Sequence, residues 1–397
     1  MLKIFHFYKN YFYVISGILL INLFLYVFII NFHRTFPLER YNYLSNAHHY
    51  LKDKRIEGEE FNFLRALGQF DAQWYLKTAS RGYPKSPNLT DVSDKNRMEG
   101  LTYAFFPLYP SLIKATNILV PDLELAAFIL TNILMILNAL SLYYVITKLY
   151  SQKTAYKTVL IMFLFPFSIF FRSYFAEGLQ LLLLIWFSYF WIKERFFFSS
   201  LLLSLLCLAK GNSIIFIPFF LLSLFQCWRE KKIKLRKLLV VSFVSILGIA
   251  IWILFNYINT GHPFYFYNIQ KAWVPNGLNP PPPFYTLMLI LNFAWLPLHS
   301  FHYSKIDVII FLIFVTLLFN SKKILKKELW TISLLTLALP LFTRDLMSFS
   351  RYQSVSFPLF IYLATILKPT YFYILAIFFG AGLLVTSLFF INWYWIG

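Results

Sequence analysis

Long apolar runs dominate the chain, and the polar positions that interrupt them come at helical rather than strand spacing. The first run, about Tyr11 to Asn31, suits one helical crossing of a bilayer core about 30 Å thick, which asks for roughly 20 apolar residues. Comparable runs cover about Glu124 to Thr147, two stretches joined by Phe171 to Gly178, two shorter ones between Phe198 and Trp228, and Leu238 to about Tyr257. Runs at about Asp307 to Asn320, Leu329 to Phe342, Ser354 to Leu367 and Tyr371 to Ile391 bring the expectation to about eleven crossings. None shows the alternation of a barrel strand. Lipid offers backbone groups no partner outside a helix or a closed barrel, so the expected fold is an all-α, polytopic bundle. No repeat period and no separate soluble domain stands out, which makes residues 1–397 one unit.

Two polar intervals are too long to be simple connectors. In the first, residues 32–122, the stretch Phe61 to Ser80 carries Phe63, Leu64, Leu67, Phe70, Trp74 and Tyr75 at helical spacing. That spacing predicts a helix lying on the membrane with Asp71 near its polar edge. Arg81-Gly82-Tyr83-Pro84 ends it. The second interval, residues 259–303, holds Gly261-His262-Pro263 and the prolines 280–283, an extended rigid strap. Its last part, 284–303, is expected to be re-entrant, because a full crossing would put Lys322, Lys323, Lys326 and Lys327 on the outside.

Composition narrows the class. Of 397 residues 59% are hydrophobic, 21% aromatic and 13% charged, too little polar surface for a water-facing globule, where about 25% charged residues is usual. The formal charge of +19 would suggest nucleic acid in a soluble protein, but here the positives punctuate apolar spans. Lys3 and Lys9, then Lys148, Lys153 and Lys157, then Lys193 and Arg195, and above all Arg229 to Lys237, place the N-terminus and alternate loops in the cytoplasm. The C-terminus then lies outside, no signal peptide is removed, and no nucleic-acid partner is implied. Cys207 and Cys227 sit in apolar runs, His48 and His49 diverge on a helix, and His299 with His302 lacks acidic company. No disulfide framework, metal site or cofactor is therefore expected. Asn88-Leu89-Thr90 fits a glycan acceptor pattern.

Once the loops have sides, Arg172, Glu177, Lys210, Arg344 and Arg351 all fall on the outer face, with Asp71. Ionisable groups at membrane depth are costly and usually line a cavity. An acid beside such cations suits group transfer from a lipid phosphate. The cations hold the leaving phosphate, and the acid accepts the proton of the attacking hydroxyl.

Five segments, FDAQWYLKTASRGY, AFFPLYPSLIK, LFPFSIFFRSYFAEGLQLLLL, LAKGNSIIFIP and SRYQSVSFPLF, occur in this order between about residues 70 and 360. In series they resemble the PIG-V family of mannosyltransferases and its bacterial relatives, within the GT-C superfamily. The resemblance implies an integral-membrane hexosyltransferase that moves a sugar, typically mannose, from a polyprenyl or dolichyl phosphate to a glycan or glycolipid acceptor, with inversion, on the extracytoplasmic face. It implies Asp71 as catalytic base. Glu177, Lys210 and Arg351 match motif positions and are expected to bind substrate together with Arg172, Arg344, Trp74 and Tyr75. Phe70 stands where relatives carry tryptophan, Gly178 where they carry serine, and Lys210 where they carry arginine. Short loops favour a bacterial cytoplasmic membrane; in a eukaryote the location would be the endoplasmic reticulum. The alternative reading is a transporter or lipid flippase, which usually shows internal repeats that this chain lacks.

Overall fold

The computed structural model describes residues 2–46, 55, 58, 60–86, 99–272, 285–298, 304–339 and 348–397. Arg344, the four histidines at 48, 49, 299 and 302, the triplet 88–90 and the prolines 280–283 lie outside the described residues. Among those described, helices are the only regular structure, so the all-α expectation stands.

The helices of eight or more residues are α1 Leu2–Phe32, α2 Asp71–Arg81, α3 Leu108–Leu119, α4 Leu123–Leu149, α5 Gln152–Leu164, α6 Glu177–Ile192 and α7 Phe196–Ala209. They continue with α8 Phe216–Arg229, α9 Leu235–Thr260, α10 Lys305–Ser321, α11 Lys327–Ala338, α12 Phe357–Ile366 and α13 Pro369–Ile391. Local chemistry sets several of the boundaries. Asp122 accepts the Leu125 N–H at 2.9 Å and Ser151 the Thr154 N–H at 3.1 Å, capping α4 and α5, while Pro166 lies two residues past the end of α5.

Five of the described helical segments are long and apolar enough to cross a membrane: Lys9–Phe32, Leu123–Leu149, Gly211–Arg229, Leu235–Thr260 and Pro369–Ile391. These five, by length and composition, do not establish the expected eleven. The apolar helices α6, α7 and α12 have 16, 14 and 10 residues, rising about 24, 21 and 15 Å against a core of about 30 Å. Ionisable residues cut two of them short, since Glu177 begins α6 and Lys210 ends α7. In the 284–303 stretch, the described helix Tyr285–Leu291 has seven residues, too few to cross.

Large apolar side chains face outward in stripes, among them Leu20, Leu23 and Phe24 of α1, Leu239, Phe243 and Leu254 of α9, and Ile377 and Phe378 of α13. Such surfaces suit lipid as solvent and would be costly in water. Between helices, small and polar residues add contacts to an extensive apolar core. Tyr26 of α1 donates to Asn132 of α4 at 3.1 Å, and Gly248 of α9 lies so close to α7 that an added Cβ would stand 2.0 Å from the Ser204 carbonyl oxygen.

Chain direction gives the bundle two unlike ends. At one, the Asn392 amide beyond α13 donates to the His33 carbonyl beyond α1 at 2.9 Å, and Gln69 donates to Ile391 at 2.7 Å. At the other lie Lys153, Lys157 and Pro369, and the Lys326 N–H donates to the Tyr150 hydroxyl at 3.3 Å.

The segment around Asp71 departs from expectation. Instead of one helix from Phe61 to Ser80, a short helix Phe63–Ala66 precedes α2, with Gly68 and Phe70 between them and Phe70 at φ +52°. Nor does α2 present a free face: Ala72 to Ala79 are all buried in protein, Gln73, Lys77 and Thr78 included. The apolar spacing was real, but neighbouring helices rather than lipid cover it.

Candidate active site

Two carboxylates and two cations meet at the end of the bundle where Gln69 joins Ile391. Each is placed by a helix terminus. Asp71 is the first residue of α2 and Glu177 the first of α6, while Lys210 caps the C-terminus of α7 and Arg351 lies in the last turn of the short helix Phe349–Ser354. Acids at N-termini and cations at C-termini both complement the helix dipole, so the four termini and the four charges favour one another.

Arg351 is the bridge. Its Nη1 donates to Asp71 Oδ2 at 2.6 Å, and its Nε lies 3.3 Å from Glu177 Oε1. Lys210 donates to the same Glu177 oxygen. The side chains of Glu177 and Arg351 are 1% and 5% exposed, that of Lys210 12%, and that of Asp71 24%. Asp71 is thus the carboxylate at the mouth and Glu177 the one at the floor. Burial opposes the charge of Arg351, but Asp71 and Glu177 outweigh it and hold the guanidinium above its ordinary pKa. Burial lowers the pKa of the Lys210 ammonium, and Glu177 only partly restores it.

Depth follows from neighbours. Asn138, 11 residues before the end of α4, donates to the Gly178 carbonyl at 2.8 Å, which puts the start of α6 well inside the span of α4. The cluster therefore occupies a recess left by the short α6 and α7, roofed by α2. Glu177 Oε2 is buried without a hydrogen-bond partner, as is Gln180 Oε1 one turn further along α6. Gln180 also donates to Asn212 at 2.8 Å, tying α6 to the turn that follows Lys210.

The structure brings Asp71, Glu177, Lys210 and Arg351 together and places Arg172, Trp74 and Tyr75 differently from expectation, while Arg344 lies outside the described residues. Arg172 does not join the cluster. Its Nε donates to Asn22 Oδ1 at 3.0 Å, its Nη1 to the Ser168 carbonyl and hydroxyl at 3.0 and 2.8 Å, and its Nη2 to the Phe163 carbonyl at 3.1 Å. It is fully buried, level with mid-α1, and solvated by Asn22, by the Phe163 carbonyl at the end of α5 and by Ser168 just beyond it, instead of facing a substrate. Trp74 and Tyr75 are 4% and 5% exposed. Trp74 stacks on Phe105 with ring centres 5.8 Å apart, and Tyr75 meets Phe105 and Tyr109 edge-on at 5.1 and 5.2 Å. They pack the roof helix onto the bundle. Burial raises the Tyr75 phenol well above its ordinary pKa, and the nearby Glu177 and Asp71 add to this. Glu177 holds the two cations from below, so its part is positioning them.

Other contributors were not among the expected site residues. The Arg351 guanidinium lies over the rings of Phe170, Phe175, Tyr352 and Trp395 at 5.3 to 5.7 Å, a cage drawn from three parts of the chain. The buried Asp307 accepts from Ser350 at 3.1 Å and so anchors the helix that carries Arg351. Phe70 packs on Trp393 and Trp395 at 5.2 and 5.0 Å, which holds its unusual backbone and aims the start of α2.

Two cavities lie apart from the four charged residues. One of about 410 Å³ runs between α2, α3 and α9, and one of about 720 Å³ opens at the opposite end of the bundle. Among the described residues no three of His, Cys, Asp and Glu converge to hold a metal ion. No family model matches the chain, and no curated protein matches it.

Proposed function

We propose that the protein is an integral-membrane hexosyltransferase that moves a hexose, mannose by the resemblance, from a polyprenyl phosphate to a hydroxyl of a glycan or glycolipid. The observation that carries this reading is the pairing of a half-open carboxylate, Asp71, with an arginine that also reaches the buried Glu177. A recess at membrane depth with two cations on its floor suits a phosphate whose chain stays in lipid.

The acceptor oxygen attacks the anomeric carbon as the bond from that carbon to the phosphate oxygen breaks. Asp71, the more exposed acid, takes the hydroxyl proton. Lys210 and Arg351 hold the lipid phosphate as it leaves with the bonding electron pair. Attack opposite the leaving group inverts the anomeric centre. Arg351 fixes Asp71 before substrate arrives, and a bound phosphate competes for the same guanidinium, freeing the carboxylate to accept a proton. On this reading the recess faces the extracytoplasmic side of a bacterial cytoplasmic membrane.

The test is Asp71→Asn in reconstituted vesicles supplied with a polyprenyl-phosphate mannose donor and extracted glycolipid acceptors. Transfer is expected to fall by about 10²–10⁴, the usual contribution of a general base, with the melting curve showing a folded protein. A folded Asp71→Asn protein that transfers at the wild-type rate would sink the assignment. Movement of labelled lipid across the vesicle without any new glycosidic bond would favour transport.

A further inference from the structure

The larger cavity, about 720 Å³, lies in the range of ligand-holding clefts, about 300–1,000 Å³. It is a groove between α1, α5 and α13. Its lining includes Gly17, 15 residues before the end of α1 and so about 22 Å along the helix from the end that carries the site. The walls are apolar, with Val14, Ile18 and Ile21 from one helix, Leu160 from the second and Phe372 from the third. At Gly17 the wall is open, since an added Cβ meets no atom within 4 Å.

The mouth of the groove is basic. Lys153 and Lys157 both line it, and Lys9 lies over the ring of Tyr13, another lining residue, at 5.8 Å. No carboxylate is among the lining residues. Lys157 is held in place by donating to the Leu367 carbonyl at 2.8 Å and by lying over Phe372 at 4.7 Å. Lys153 is exposed. The positive-inside rule gives this end of the bundle to the cytoplasm.

We propose that the groove holds an anionic glycerophospholipid of the cytoplasmic leaflet. Its phosphate lies between Lys153 and Lys157, and one acyl chain runs along Gly17, Ile18 and Ile21. Uncompensated lysines at a membrane surface favour an anionic headgroup over a zwitterionic one, and an apolar trough below them fits a chain that a free anion does not have. Two of the three helices, α1 and α13, meet again beside Asp71 through Asn392 and His33, so the lipid joins their far ends.

The test is native mass spectrometry of the detergent-purified protein with added phosphatidylglycerol or phosphatidylcholine of identical acyl chains. The wild type is expected to retain phosphatidylglycerol selectively, and Lys153→Gln to lose about fivefold of that retention, the worth of one lysine near an anionic headgroup. Gly17→Leu, which fills the trough with a better helix former, is expected to lower retention with both lysines intact. Equal retention of the two lipids by the wild type, or unchanged retention in both variants, overturns the proposal. Displacement of the lipid by inorganic phosphate overturns it too, because it would reveal a simple anion site.

Discussion

Glu177 carries two cations on one buried carboxylate, and that makes it the most sensitive residue of the cluster. Replacing it by glutamine keeps the shape and leaves Lys210 and Arg351 buried without a counter-charge on that side. Breaking a buried pair from one partner costs about 3–5 kcal/mol. Glu177→Gln is therefore expected to lower the thermal unfolding midpoint in detergent markedly, and Asp71→Asn, at 24% exposed, much less. Equal shifts in the two variants would contradict the assignment of floor and mouth. At this scale Asp71 was legible as an acid flanked by aromatics, and Lys210 as a cation at a break in an apolar run. Arg172 was not, because its partners, the Asn22 amide, the Ser168 hydroxyl and the main-chain carbonyls of Phe163 and Ser168, are brought to it only by packing of α1 and α5.

Helix length is what makes room for the charges. Glu177 and Lys210 mark where α6 and α7 stop, and both helices are shorter than the bilayer core, so their ends lie below the level of their longer neighbours. The long α9 closes that side by packing hard against α7 at Gly248. Since the atom in the way is main chain, Gly248→Ala must push the two helices apart, an overpacking expected to cost about 1–3 kcal/mol. Thermal unfolding beside Gly248→Ser should show the larger side chain to be no better tolerated; a neutral Gly248→Ala would mean that the contact is looser than described. The long apolar helices were readable from their spacing, whereas the helix Leu108–Leu119 was not expected. The break before α2 was not, because Gly68 to Phe70 continue the apolar rhythm while Phe70 turns the backbone to positive φ.

Charge divides the whole molecule into two ends. Lysines and arginines collect beside Lys153, Lys234 and Lys326, whereas at the opposite end Glu177, Lys210 and Arg351 are paired and largely buried. The positive-inside rule then predicts sidedness directly. In a protein with Cys207 and Cys227 replaced by serine, a cysteine introduced at the exposed Ser86 should react with an impermeant maleimide applied to intact cells, and one at Lys234 only after the membrane is opened. Labelling of both from the same side would invalidate the arrangement.

Apolar run length and the placement of basic residues determined, without coordinates, that the chain is a helical membrane protein whose densest basic cluster, Arg229 to Lys237, lies between two apolar runs. Those properties are sums over neighbouring residues, and the bilayer reads them locally. The meeting of Asp71, Glu177, Lys210 and Arg351 depends on contacts across as many as 280 residues. The resemblance named those four residues, but only the packed structure decided which acid lies open, which lies beneath the cations, and that Arg172 stands elsewhere. Burial and pairing are set by which helix ends fall short, and that is a property of the assembled bundle.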